Sequence, residues 1–235
     1  DVYDQKETWN ILDAIEKKVF ALTQVHIADK LLHIKDILDK RVEDYMEIVD
    51  NPWILEERKV LSLYEALDNK LWGFRQGELF ILAARPSMGK TAFAINLLIN
   101  IALGQKKSVA LFSLEMTSQN IVDRVLSTVS EISMDKIYKG QLDNNDFSLM
   151  GDAVSRLGES NIFIVDSSTL TIPTLKSKLR KLKIEKWQID FVVIDYLQLM
   201  AWTWFKYEWN RVQEISQISR WLKELSKELS VPIIA

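Results

Sequence analysis

"ILAARPSMGKTAFAINLL" (residues 81–98) passes from an apolar run, through a turn holding Pro86, Ser87 and Gly89, into Lys90, Thr91 and a second apolar segment. A strand that hands over to a helix through such a turn is the context that a phosphate-binding loop requires. In that context Lys90 reaches the β- and γ-phosphates and the Thr91 hydroxyl serves a Mg²⁺ ion. The backbone N–H groups of Ser87, Met88, Gly89, Lys90 and Thr91 point at the phosphates, with a helix N-terminus behind them. Gly89 lets the backbone come close. Ala84 stands in the place of the usual first glycine, so the loop must turn without that residue's freedom.

Outward from the loop, short β-rich apolar runs alternate with helical segments: "LFILAA" (79–84), "SVALFSL" (108–114), "IFIVDS" (162–167), "FVVIDYL" (191–197) and "VPIIA" (231–235). Near-continuous apolar strands between helices predict an α/β fold with a mostly parallel sheet covered on both faces. "FVVIDYL" ends its apolar run in Asp195, the form of a strand that delivers an acid to the Mg²⁺ of a nucleotide site. Glu115 closes "LFSLEM" at the carboxyl edge, where open α/β sheets bind ligands. A glutamate there polarises an attacking water. Such a group is worth roughly 10²–10⁴ in rate, so it separates a hydrolase from a module that only holds nucleotide.

Upstream, "NILDAIEKKVFALTQ" (10–24) and "HIKDILDKRVEDYMEIVD" (33–50) carry helical periodicity. The second sets Ile34, Ile37, Leu38, Val42, Tyr45, Met46 and Val49 at spacings of three and four, one apolar face on a charged helix. A lone helix of this length is marginal in water, so the face needs a partner, on its own domain or on a neighbouring subunit.

At 235 residues and 48% hydrophobic content, the chain suits one large domain with an appendage. It has no cysteine, which excludes disulfides and thiolate metal sites, and His26 and His33 lie in charged, helical surroundings that do not suggest metal ligation. No apolar run approaches the ~20 residues of a spanning helix, and "DVYDQKETWN" lacks the features of a secretory signal, so a cytoplasmic protein without membrane association is expected. The net charge of −3 argues against a uniformly basic nucleic-acid coat but leaves room for a local basic groove.

Four stretches in order, "GFRQGELFILAARPSMGKTAFAINL", "ALFSLEMTSQNIVDRVLS", "VVIDYLQLM" and "NRVQEISQISRWLKELSKELSVPIIA", resemble the ATPase domain of the bacterial replicative DNA helicases, the DnaB family. The resemblance implies a RecA-like P-loop ATPase core over residues 65–235, preceded by a connecting segment at 51–64. Residues 1–50 would be the end of an N-terminal region with a helical linker that docks on the next subunit. It identifies Lys90 and Thr91 as the phosphate lysine and Mg²⁺ threonine, Glu115 as the catalytic base, Asp195 as the Walker B acid and Arg124 as an active-site arginine. Gln198 matches a glutamine whose role, relay or packing, stays open. ATP and Mg²⁺ are the implied cofactors, with single-stranded DNA, a homohexameric ring through the 33–50 helix, primase and a helicase loader as partners.

The family continues past "VPIIA" into a glutamine motif, further DNA loops and an arginine finger, so the resemblance implies a longer protein. "AWTWFKYEWNR" (201–211) stands where the family has a Ser-, Gly- and Arg-rich DNA loop. There Lys206 and Arg211 are candidates to meet phosphates, and Trp202, Trp204 and Trp209 either stack on bases or pack on the protein. The alternative in another class is a RecA-like switch or recombination-accessory ATPase that does not unwind DNA.

Overall fold

The computed structural model describes residues 33–85, 87–167, 170–186, 188–195, 200 and 211–235. The periodic segment 10–24, Gln198 and the stretch 201–210, with Trp202, Trp204, Lys206 and Trp209, lie outside the described residues. So does the side chain of Arg211. The chain divides into two compact units, Asp1–Ile54 and Leu55–Ala235.

In the first unit, helix α1 (Ile34–Asp50) covers the periodic segment. His33 caps it by accepting a hydrogen bond from the Lys35 N–H. Its apolar stripe faces solvent, with Ile34 66%, Met46 62% and Val49 76% exposed. Beside the stripe, Arg41 donates to the Tyr45 hydroxyl at 3.0 Å and pairs with Asp44 at 3.4 Å. A short helix, α2 (Trp53–Arg58), follows.

The second unit is built on a five-stranded sheet in the order β1-β5-β4-β2-β3, with every pairing parallel. The strands are β1 (Leu79–Phe80), β2 (Val109–Ser113), β3 (Ile162–Asp166), β4 (Phe191–Asp195) and β5 (Ile233–Ile234). All five expected runs contain a strand. The run 79–84 pairs over two residues at the edge of the sheet, beside β5, and the Leu82 N–H bond to the Ala235 carbonyl at 2.9 Å carries the ladder on before the loop turns away.

Alternation along the strands divides the core in two, since successive side chains leave a strand on opposite faces. On one face Ala110, Phe112, Val192, Ile194 and Ile233 meet Leu175 and Leu179 of helix α8 (Ile172–Lys186) and Ile218, Leu222 and Leu225 of helix α9 (Arg211–Leu229). On the other, Val109, Leu111, Phe191, Val193 and Ile234 meet Ile95, Leu97 and Leu98 of helix α4 (Lys90–Ile99) and Ile121 and Val125 of helix α5 (Ser118–Ser130). Helices α3 (Glu65–Leu71), α6 (Met134–Lys139) and α7 (Asn144–Gly158) complete the unit.

The approach to the sheet is fastened to α4. The Asn100 side chain donates to the Ser62 carbonyl, the Gln105 amide bonds both the N–H and the carbonyl of Leu61, and Tyr64 stacks on Phe93 with ring centroids 5.6 Å apart. Asn100 and Gln105 reach this segment because α4 ends in a π-helical turn, Asn100–Gly104.

Candidate nucleotide site

The loop after β1 makes its turn with two left-handed residues, Ser87 at φ 63 and Gly89 at φ 82, and Ala84 is not among the residues with positive φ. An L-residue is therefore at no disadvantage at position 84, where the sequence raised the question of a missing glycine. Gly89 is the N-cap of α4, and no side chain caps that helix. A Cβ added at Gly89 would meet nothing within 4 Å, so the space over the helix N-terminus is open. An uncapped N-terminus with its dipole behind it favours an anion, and a glycine there leaves room for the anion to approach.

The first turn of α4 aims two side chains at one carboxylate. The Thr91 hydroxyl donates to Asp195 Oδ2 at 2.7 Å, and Lys90 Nζ lies 3.0 Å from Asp195 Oδ1. Asp195 reaches them from the carboxyl end of β4, and its residue is only 6% exposed. The contact spans 104 positions of sequence and depends on the strand order, which sets β4 one strand away from β1 with β5 between. A small cleft lined by Leu82, Lys90, Asp195 and Ala235 opens at this edge. Hydroxyl and carboxylate oxygens beside each other are the donor type a hard divalent cation takes, and a lysine on the same carboxylate adds the positive charge a polyphosphate needs.

Glu115 stands in the turn after β2, two positions past Ser113, which is the register partner of Asp195. Its side chain is exposed. Arg124 is also exposed, within α5, and its carbonyl accepts the Thr128 hydroxyl at 2.8 Å. Among the expected residues, then, Lys90 and Thr91 each meet Asp195, while Glu115 and Arg124 occupy the turn after β2 and the helix that follows it. Ser113 and Asp166, both at this edge, escaped the sequence reading. Their signal was available: "IFIVD" ends in a carboxylate at the same edge as "FVVID" does.

Residues 60–235 match the family described as DnaB-like helicase C terminal domain. Among curated relatives, the replicative DNA helicase DnaB of Pasteurella multocida is 40% identical over 233 residues, covering 97% of this chain and 50% of that protein. The DnaB of Nostoc sp. is 39% identical over 232 residues, covering 98% of this chain and 26% of that protein. The chain thus spans about half or less of the length of these curated relatives.

Two solved structures share the fold. One, described as an ATPase domain, has a TM-score of 0.75 at 33% identity and covers 85% of this chain and 69% of its own. The other, described as a DnaB-like replicative helicase and its interactions with primase, has a TM-score of 0.72 at 28% identity, with 97% and 58% covered. The α/β core is therefore a RecA-like ATPase domain, as the sequence led one to expect. With the match running from Val60 to Ala235 and taking in every strand of the sheet, the chain belongs to the DnaB-like helicase C-terminal domain family.

Proposed function

We propose that this chain is the ATPase part of a ring-forming replicative DNA helicase, coupling ATP hydrolysis to movement along single-stranded DNA and to duplex unwinding. One observation carries the reading: Lys90 and Thr91, at the start of α4, meet the carboxylate of Asp195 on a strand whose neighbour leads into Glu115. The names of the relatives, replicative DNA helicases, support the biological setting.

Bound ATP with Mg²⁺ supplies a γ-phosphoryl group open to in-line attack by water. The open N-terminus of α4 and the Lys90 ammonium hold the phosphate charge. Thr91, through its hydroxyl, and Asp195, from its strand, would hold the cation, which would offset the negative charge of the phosphates. Glu115 orients the water and takes its proton. Arg124 adds positive charge on the helix that follows.

In the assembled protein, the exposed apolar face of α1 docks on the next subunit of a homohexamer. The 201–211 segment contributes Lys206, Arg211, Trp204 and Trp209 to the single-stranded DNA path. Primase and a loader are further partners, the former by analogy with the relative whose structure is described with it.

A forked DNA substrate tests the activity. The full-length protein should unwind it with ATP and Mg²⁺, and Lys90→Ala should abolish unwinding. Robust ATP hydrolysis without strand separation would instead favour the switch or recombination-accessory ATPase. No helix among the described residues is long and apolar enough to cross a bilayer.

A further inference from the structure

Three residues from neighbouring strands stand in one row at the carboxyl edge: Asp166 of β3 pairs in register with Ser113 of β2, and Ser113 with Asp195 of β4. Asp195 serves the nucleotide; the other two act on the turn that carries Glu115. The Ser113 hydroxyl donates to the Met116 carbonyl at 2.7 Å and accepts from the Met116 N–H at 3.0 Å, closing a loop around Leu114 and Glu115. The Leu114 N–H donates to the Asp195 carbonyl at 2.9 Å, tying that loop to the cation-binding strand. At its far end the Asp166 carboxylate accepts the N–H of Ser118 at 2.8 Å. Ser118 is the first residue of α5, after the N-cap Thr117. Glu115 is exposed, so its position comes from these anchors at the ends of the turn rather than from packing around its own side chain.

We propose that Asp166, together with Ser113, is a positioning residue for Glu115: it pins the start of α5 so that the water-activating carboxylate stays in register with Asp195. The inference rests on reading Glu115 as the base. A carboxylate on the first N–H of a helix satisfies a donor that has no partner within the helix and complements the helix dipole. Ser118, through its N–H first and its hydroxyl second, holds the Asp166 carboxyl below the usual aspartate range, so it stays an ionised acceptor near neutral pH. Releasing the start of α5 frees the turn by a fraction of an ångström or more, and a misplacement of about 1 Å is enough to cost on the order of 10²-fold in rate.

Steady-state and single-turnover ATP hydrolysis by the full-length protein test the inference. Asp166→Ala should lower kcat by about tenfold or more while KM for ATP stays within about threefold, because Lys90, Thr91 and Asp195 are untouched. Asp166→Asn, which keeps an oxygen acceptor at the same reach, should restore most of the loss. Ser118→Pro removes the donor instead. Proline suits the first helical position, and Thr117 before it is already extended at φ −69 and ψ 155. This variant should lose as much as Asp166→Ala, and the two together no more than either alone.

On a Glu115→Gln background, Asp166→Ala should leave the residual rate unchanged. A normal kcat in Ser118→Pro overturns the inference, even if Asp166→Ala fails to fold. An undiminished cost of Asp166→Ala on the Glu115→Gln background also overturns it, since Asp166 would then not act through Glu115. Normal turnover by Glu115→Gln alone is a separate result: it removes the base assignment, and this inference with it.

Discussion

At the scale of single residues, the proposed assignments divide binding from turnover. Lys90 and Thr91 share the Asp195 carboxylate, whereas Glu115 stands apart in the turn after β2. Lys90→Ala should therefore weaken nucleotide binding by at least about tenfold, since a charge-assisted contact is worth roughly 1.5–3 kcal/mol. Glu115→Gln should keep binding and lose about 10²-fold or more in turnover. A fluorescent-nucleotide titration beside a phosphate-release assay checks both, and a Glu115→Gln protein that hydrolyses normally would refute the assignment. Ala84 is not left-handed, while Gly89 sits at φ 82. Ala84→Gly should thus leave nucleotide affinity unchanged, but Gly89→Ala places a side chain in a conformation costing roughly 1–2 kcal/mol and sets a methyl group in the open space over the helix N-terminus. Equal affinities in the two variants would contradict this account of the loop.

At the scale of elements, three carboxylates hold the packing of helices and share one pH dependence. Asp146 accepts from Lys136 Nζ at 2.8 Å and from the Asp143 N–H at 3.1 Å, completing the capping box at the start of α7. Lys136 first, then the Asp143 N–H, lower its pKa against the opposing effect of burial. For Glu228, burial pushes upward most strongly, yet Lys176 and Arg180 of α8 together outweigh it and leave the group below its ordinary value. Asp166, held by Ser118, is lowered as well. Each is lower in the folded chain than in the unfolded one, so each contributes stability that is fully present above the unfolded value, about 4, and is lost as pH falls through the folded value. Thermal unfolding should therefore begin to shift downward below about pH 4, and Asp146→Asn should show a shallower acid limb than the wild type. A variant with an unchanged acid limb would mean that Asp146 titrates alike in both states. These elements also mark how far the sequence could be read. The strand centres, the phosphate loop and the acid ending "FVVID" were legible because apolar runs and loop chemistry are local. The roles of Ser113, Asp166 and the Asn100–Gly104 turn were not: the first two depend on which strands become neighbours and in what register, the third on a contact with Ser62, and all are set by packing between segments dozens of residues apart.

At the scale of the whole molecule, the sheet and its helices bury two apolar layers, but α1 leaves its apolar stripe open, with Ile37 45%, Leu38 53% and Val42 48% exposed. An amphipathic helix with that much of its stripe in water is poorly stabilised as a monomer, and burial of each such side chain contributes about 1.5–3 kcal/mol. The proposed ring supplies the burial from the neighbouring subunit. Ile37 and Leu38 are already about half buried, so removing them from such an interface forfeits roughly 1.5–3 kcal/mol in all, a factor on the order of 10–10² in the association constant at each contact, before the cost of confining two carboxylates there is counted. Ile37→Asp with Leu38→Asp in the full-length protein should consequently shift the particle in multi-angle light scattering from hexamer to smaller species. Circular dichroism and nucleotide binding should remain near wild type, because both positions lie in the Asp1–Ile54 unit and the Lys90–Asp195 contact lies in the other. Ile37→Ala with Leu38→Ala, which removes the apolar area but adds no charge and favours the helix, should fall between the two. A particle of undiminished mass in the aspartate variant would show that this face of α1 packs within its own chain and takes no part in assembly.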